Sequence, residues 1–482
     1  MMKTNKVLSG LFWVYVENIS VQIVNFIISI ILARLLEPSH YGTIALLMVF
    51  ISLANVFVTS GISSALIQRK DADELDYSTM FWFNLLVSIL LYIILFFCAP
   101  AIGNYYNNND LSLVLRILAL SIPLSAFNCI QQAYVASHMV FKKSFVSNSG
   151  GALLSGIIGV VLAYCGMGLW ALVAQRLLQV VFATLLLRLV IDWRPQKVFS
   201  VDRLKPMLSF GWKMMATGFL FTGYSELRSL IIGKRYSAAD LGFYDRGYSF
   251  PKLVASNIDT SITRVLFPAL TSEQNESKRL AEKTRRAGRT SAYFMTPILW
   301  GLAVVAHPLV LLLLGEKWLP CVPYLQIMCF VWWLQPTQTC SAQAIKAIGR
   351  SDLYLKIEIV SKVVGLGLLA YAVLVANSVK AIAIMFLVGQ VISVFIYGSV
   401  SAKYIGYKIG DQIVDLLIPG LMSIAVCIYA LFIFQVINNV IMCLILQVIG
   451  GALIYIILSK VTNNESFAYV VKTLGLSKNK NV

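Results

Sequence analysis

Stretches apolar enough to cross a lipid bilayer recur from Leu11 to Ser459, and no other feature constrains this chain as strongly. A helix needs about 20 such residues to span hydrocarbon. Fourteen segments are expected to do so: 11–35, 42–64, 79–101, 112–136, 146–165, 168–191, 208–232, 240–265, 290–314, 321–345, 354–376, 379–400, 414–437 and 440–459. Of the 482 residues, 59% are hydrophobic and 13% charged, with a mean hydropathy of +0.78. That leaves too little polar surface for the several cores a soluble chain of this length would need. The expected class is an all-α polytopic membrane protein.

The first apolar run follows "MMKTNKVLSG" and carries Glu17, Asn18, Gln22 and Asn25. It is longer than a signal-peptide core and lacks a clear small-residue cleavage site, so it reads as a retained first helix. The eight cysteines form no CxxC and no metal-type spacing with His40, His138 and His307. They read as apolar packing, and no metal is expected. Nothing resembles a Walker loop, which speaks against ATP hydrolysis by this chain.

The basic residues orient the spans. With the N-terminus placed in the cytoplasm and the sides alternating, one side collects Lys3, Lys6, Arg69, Lys70, Lys142, Lys143, five basic residues over 188–205, six over 278–289, and further ones near 346–356, 403–408 and 460–480. The other side holds only Arg34, Lys234, Arg235, Lys317 and Lys380. This is the positive-inside pattern for an even number of spans with both termini cytoplasmic. It accounts for most of the net charge of +17 without a nucleic-acid partner. Trp318, Tyr105 and Tyr106 fall at expected membrane ends and read as an interfacial aromatic belt.

The chain also repeats itself. "ILARLLEPSHYG" (31–42) returns as "IIGKRYSAADLG" (231–242), and at the same spacing Ser9, Ser29, Ile31, Gly42, Phe50, Leu53, Ile62 and Leu66 match identical residues 200 positions later. Both windows begin on a helix leaving the cytoplasm, turn at a short polar loop and return. Two parallel six-helix bundles follow, 1–195 and 208–403, joined by a cytoplasmic linker at 196–207, with 404–482 supplying two extra helices and a cytoplasmic tail. Parallel repeats place a substrate site between them.

A charge in hydrocarbon costs roughly 2.5–3.5 kcal/mol on insertion scales, so intramembrane charges turn toward a bundle interior or water. The first helix carries Tyr15, Asn18, Gln22, Asn25 and Ser29 in steps of three or four, one polar stripe with Glu17 beside it. Its repeat mate carries Lys213, Thr217, Tyr224 and Arg228. The next segment has Asp245, Lys252 and Asp259 seven apart, with Pro251 placed to bend it. Lys213, Lys252, Arg176 and Arg228 are the expected ligands of an anionic headgroup. Asn18, Gln22 and Asn25, with Gln335 and Gln338 of "WWLQPTQTCSAQA", are candidates to face a glycan, although amides and hydroxyls equally glue helices together. Glu17, Asp259 and Glu358 are the carboxylates placed for ion coupling. Glu358 and Lys362, four apart, also suit a plain structural ion pair. A membrane glycosyltransferase would need an acidic or histidine cluster at a membrane face, which the sequence does not offer, so an enzyme is not expected.

"LARLLEPSHYG" (32–42), "ITRVLFPAL" (262–270) and "LLGEKWLPCVPYLQIMC" (313–329) resemble Wzx-type polysaccharide and O-antigen flippases, especially the colanic-acid exporter-like branch. That family belongs to the multidrug/oligosaccharidyl-lipid/polysaccharide exporter superfamily. The resemblance extends over about residues 1–460. It implies fourteen helices, alternating access through a cationic cavity, and a location in the bacterial inner membrane. The implied cargo is an undecaprenyl-pyrophosphate-linked oligosaccharide for capsule, exopolysaccharide or O-antigen assembly, with membrane lipid and polysaccharide polymerase machinery as partners. It implies no cofactor, while a proton or sodium gradient would serve to reset the empty carrier. The alternative is a cation-coupled multidrug or toxin exporter of the same superfamily. That reading calls for an acidic lumen, whereas the intramembrane charges lean basic. A third reading is a lipid scramblase or lipid II flippase.

Overall fold

The computed structural model describes residues 2–59, 66, 72–108, 110–273, 276–437 and 439–473, and the regular structure among them is helical. Arg69, Lys70, Lys478, Lys480 and residues 60–64 of the second expected span lie outside the described residues, as do the side chains of Lys3 and Lys6. The chain divides into two compact units, Met1–Gly242 and Phe243–Val482.

The first unit is built from α1 (Met2–Leu35), α2 (Pro38–Thr59), α3 (Glu74–Tyr105), α4 (Asp110–Leu118), α5 (Ser121–His138), α6 (Phe141–Tyr164), α7 (Leu169–Val190) and α8 (Val201–Arg235). Its tightest seam joins α6 to α7 and α1. On α6, Ser147, Gly151, Ser155 and Gly159 recur every four residues and are all buried. A Cβ on Gly151 would lie 2.8 Å from the Ala183 backbone nitrogen, and one on Gly156 would lie 1.7 Å from Ile28. Small residues at this spacing let helix backbones approach where lipid gives no hydrophobic drive to associate. The start of α3 is fixed by a capping box: Asp76 N–H donates to Asp73 at 2.9 Å and Asp73 N–H to Asp76 at 3.2 Å. Arg203 reaches both carboxylates at 3.4 and 3.5 Å. Gln196 N–H then donates to Ser78 and Ser200 N–H to Thr79, strapping the segment between α7 and α8 across α3.

The repeat spacing reappears in the helix ends. Helix α1 stops at Leu35 and α8 at Arg235; α2 starts at Pro38 and α9 (Ala238–Thr271) at Ala238. The two corners cross at glycine. A Cβ on Gly42 would sit 1.6 Å from the Ala238 carbonyl oxygen, and one on Gly242 would sit 2.2 Å from the Pro38 carbonyl oxygen. Residues matched at a spacing of 200 therefore touch reciprocally, the pattern a two-fold arrangement imposes.

The second unit takes most of α9, then α10 (Ser277–Val304), α11 (Ala306–Leu313), a 3₁₀ turn over Glu316–Cys321, α12 (Val322–Trp333), α13 (Gln335–Ala347) and α14 (Ser351–Tyr371), which a short π-helical stretch (Ala372–Ala376) prolongs. It closes with α15 (Val379–Tyr404), α16 (Ile409–Val436), α17 (Val440–Val461) and α18 (Glu465–Thr473). Helix α10 is the hub, packed on α12, α13 and α16. Trp318 departs from its expected interfacial role: it is 0% exposed, with Phe243 edge-on at 6.0 Å and the Arg246 guanidinium 5.6 Å from its ring. Gly315, at φ +93°, makes the turn that carries it inward. Tyr105, by contrast, is 58% exposed.

Among the described residues, 10 helices are long and apolar enough to span a membrane, and α10 with α11, bent by 68° at their junction, makes up to 11. Three of the fourteen expected spans fall short of that test. Segments 208–232 and 240–265 are continuous helix but not apolar enough, with Lys213, Glu226 and Arg228 on α8 and Asp245, Arg246, Lys252, Asp259 and Arg264 on α9 among their polar residues. Segment 321–345 breaks at Leu334, ahead of Pro336, into α12 and α13.

Candidate functional site

In the first unit Glu17 is drawn onto α6. Its Oε1 lies 2.6 Å from the Asn148 amide nitrogen and 3.0 Å from the Ser144 hydroxyl. Ser144 is also 2.9 Å from Gln132 Oε1, so its single proton is shared between two acceptors. Asn148 and Gln132 line a cavity of about 430 Å³ together with Thr59, Ser125, Asn128 and Gln179. A carboxylate therefore stands beside a cavity whose wall mixes hydroxyls and amides with Cys129, Val180 and Ala183, in a helical membrane unit. Asn18 is exposed and Gln22 and Asn25 half-buried; none of the three lines this cavity.

Helix α8 presents a basic face. At ~100° per residue, Lys213, Thr217, Tyr224 and Arg228 share an arc of about 60°. The opposite side of the helix packs on α2: Phe219 meets Phe57 at 5.4 Å, and Gly223 and Gly233 let Leu53 and Leu46 come close. Lys213 is exposed, whereas Arg228 is buried with its guanidinium 5.4 Å from the Tyr224 ring centre. Arg176 lies exposed on α7, one residue past Gln175, which abuts Gly159 of α6. Lys252 belongs to the second unit, exposed on α9 with its ammonium 5.1 Å from the Tyr248 ring.

The second unit separates the remaining candidates. Asp259 is hydrogen-bonded by Thr339, whose hydroxyl lies 3.4 Å from the Gln335 amide. Its Oδ1 is buried and has no partner among the described residues. Gln338 donates to the Gln390 backbone and side chain at 3.3 and 3.4 Å, tying α13 to α15. That contact glues two helices, one of the two uses open to its amide. Glu358 is taken up by the Lys362 ammonium and the Tyr397 hydroxyl, as a structural pair would be. Of the three carboxylates, Glu17 is bonded to a residue that lines the 430 Å³ cavity, and Asp259 keeps a buried oxygen without a partner among the described residues.

Sequence reading did not single out Gln132, Ser144, Asn148 or Gln179. The four-residue step from Ser144 to Asn148 in "KKSFVSNSGG" was the available signal, since it puts both on one face of α6.

The profile of the polysaccharide biosynthesis protein family matches residues 31–323, more than half of the chain. The chain belongs to the polysaccharide biosynthesis protein family. It is similar to the lipopolysaccharide biosynthesis protein WzxC of Escherichia coli (strain K12), 24% identical over 87% of this chain and 86% of that one. It is similar also to the succinoglycan biosynthesis transport protein ExoT of Rhizobium meliloti (strain 1021), 23% identical over 75% and 73%. In fold it matches the lipid II flippase MurJ in an inward closed conformation, with a TM-score of 0.76, 16% identity and coverage of 94% and 98%. This family member is therefore an all-α polytopic membrane chain of the MurJ type, as its helices and apolar spans require.

Proposed function

We propose that this chain is a flippase that carries a lipid-linked oligosaccharide from the cytoplasmic to the outer leaflet of a bacterial inner membrane, by alternating access. The observation that carries the reading is the basic face of α8, Lys213 to Arg228, on a helix of a polysaccharide-biosynthesis membrane protein. The cargo's diphosphate is anionic and its glycan hydrophilic, and neither crosses hydrocarbon unaided. In the first unit Lys213, Arg228 and Arg176 are the diphosphate ligands, Lys252 is the candidate of the second unit, and the polyprenyl tail stays in lipid. With the cell interior negative, outward movement of each negative charge through 100 mV is favoured by about 2.3 kcal/mol. Export then needs no energy input of its own, and an ion gradient resets the empty carrier through Glu17, whose cavity admits a proton or sodium. Asp259 is the second candidate for that role.

On this reading both termini are cytoplasmic, the repeats 1–195 and 208–403 form the transport body, and 404–482 lies outside them. The activity is transport and not catalysis, and the glycan passes to polymerase machinery on the far side. Native mass spectrometry of the protein purified in mild detergent tests it. The reading requires a co-purifying polyprenyl-diphosphate glycan, depleted in the Lys213→Ala/Lys252→Ala variant. No such adduct, together with stabilisation by cationic drugs, would move the assignment to a multidrug exporter.

A further inference from the structure

We propose that the first unit carries a separate sugar-binding pocket at the helix ends remote from its basic loops. The pocket, about 490 Å³, is lined by Ser39, His40 and Thr43 at the α1–α2 corner, Asn108 and Asp110 at the start of α4, and Trp170 in the first turn of α7. Its volume lies within the roughly 300–1,000 Å³ usual for small-ligand sites. Three connections, each between one outward and one returning helix, converge here. The only basic residues of the unit that the sequence assigns to this side are Arg34, Lys234 and Arg235.

The walls are built by turns whose backbones are already satisfied. His40 N–H donates to the Glu37 carbonyl at 3.1 Å, Trp170 N–H to the Met167 carbonyl at 3.0 Å, and Asp110 N–H to Asn108 Oδ1 at 3.1 Å. That last bond fixes the Asn108 carboxamide and leaves its amide nitrogen two protons to donate. Thr43 donates to the Ser39 carbonyl at 2.9 Å, so its oxygen remains an acceptor. Gly168, at φ +52°, opens α7; a Cβ there would come within 3.1 Å of the His40 ring. Glycine is thus what lets the start of α7 close one wall of the pocket against His40.

The lining selects among ligand classes. Among the described residues it has an indole, a carboxylate, a carboxamide, an imidazole and two hydroxyls, but neither an ammonium nor a guanidinium. A diphosphate headgroup finds no cation there and meets the negative Asp110 instead. A neutral pyranose matches: its C–H face lies on the indole, and its hydroxyls donate to Asp110 and Thr43 while accepting from Asn108. The chain would then separate the two ends of its cargo, the diphosphate at the α8 face and a sugar at this pocket. The assignment rests on the reading that the cargo is a glycan.

The test is saturation-transfer NMR on the full chain in nanodiscs with glucose, galactose and N-acetylglucosamine at millimolar concentration. At least one should receive transfer on its ring protons. The signal should fall by about fivefold or more in Trp170→Ala and in Asp110→Asn, as loss of a stacking or charged hydrogen-bonding partner requires. It should persist in Trp170→Phe. Asp110 is exposed, so Asp110→Asn tests the pocket even if Trp170→Ala does not fold. Absence of transfer from all three sugars, or undiminished transfer in Asp110→Asn, overturns the proposal. If the lipid-linked glycan still co-purifies in that case, the flippase reading survives without the pocket; if neither binds, both fall. Competition by the purified lipid-linked oligosaccharide identifies the cargo as the sugar source, and its absence a soluble sugar.

Discussion

Arg285 on α10 grips Asp415 on α16 with two bonds, from Nε at 2.9 Å and from a terminal nitrogen at 3.3 Å. The Asp415 side chain is 4% exposed and also accepts from the Tyr407 hydroxyl at 3.0 Å. Burial, and then the Asp415 charge, push the Tyr407 hydroxyl above its usual range and keep it a donor. Removing Arg285 leaves a buried carboxylate with one neutral partner. Arg285→Ala should lower stability by about 1–3 kcal/mol, discounted from the roughly 3–5 of a fully buried pair because Arg285 is itself 40% exposed. Thermal melting in detergent, with the Arg285→Ala/Asp415→Ala double mutant to close the cycle, checks it; additive losses would deny the pair any coupling.

Helix α18 should loosen in acid. Glu465, at its first position, is hydrogen-bonded by Arg289 of α10, which holds its carboxyl below the ordinary glutamate range. A folded-state pKa below the unfolded value, about 4.3, gives a contribution complete above that value and lost as pH falls through the lower one. Amide-exchange protection of 465–473 should therefore decline below about pH 4.3, and Glu465→Gln should show weak protection at every pH. Protection that does not change with pH in the wild type would dismiss the contact as inconsequential.

Trp318 supports the second unit from inside. Replacing a fully buried Trp by Ala typically costs about 3–5 kcal/mol, and Trp318→Phe should recover much of it because the edge contact with Phe243 survives. Yield of monodisperse protein on size exclusion separates the variants. An unaffected Trp318→Ala would return this residue to the membrane interface.

Glu17 and Glu358 should behave differently when neutralised. Glu17→Gln still offers an oxygen to Ser144 and Asn148, so the protein should fold while flipping in proteoliposomes loses its dependence on an imposed ion gradient. Glu358→Gln removes the charge that Lys362 and the Tyr397 hydroxyl are bonded to and should lower the melting temperature with gradient dependence intact. Full gradient dependence in Glu17→Gln would remove this residue from the coupling role.

What could be read in advance follows the range of the interactions involved. Helices and their ends come from local rules, and the corners at 35–38 and 235–238 were legible because one stretch of sequence is written twice. The outer chemistry of α8 was legible too, since one helix carries the whole basic arc. The cavity beside Glu17 was not: its walls come from the end of α2 and from α5, α6 and α7, and no single periodicity runs across four helices. The polar run of α13 left two uses open for a different reason. An amide that binds a sugar and one that binds a neighbouring backbone are the same group, and the contact of Gln338 with Gln390 comes from another helix. Trp318 was misplaced because an aromatic residue after a glycine at a membrane end is written alike whether it turns outward or in.

The crossing of Gly42 and Gly242 limits what mutation can repair. In each direction the obstacle to a side chain is a carbonyl of the partner corner, Ala238 or Pro38, and every amino acid brings that atom. A damaged copy therefore has no rescue in its twin, where the smallest residue is already in place. A suppressor screen begun from Gly42→Val should return glycine at 42, or changes that re-route the corner, and no replacement at 242.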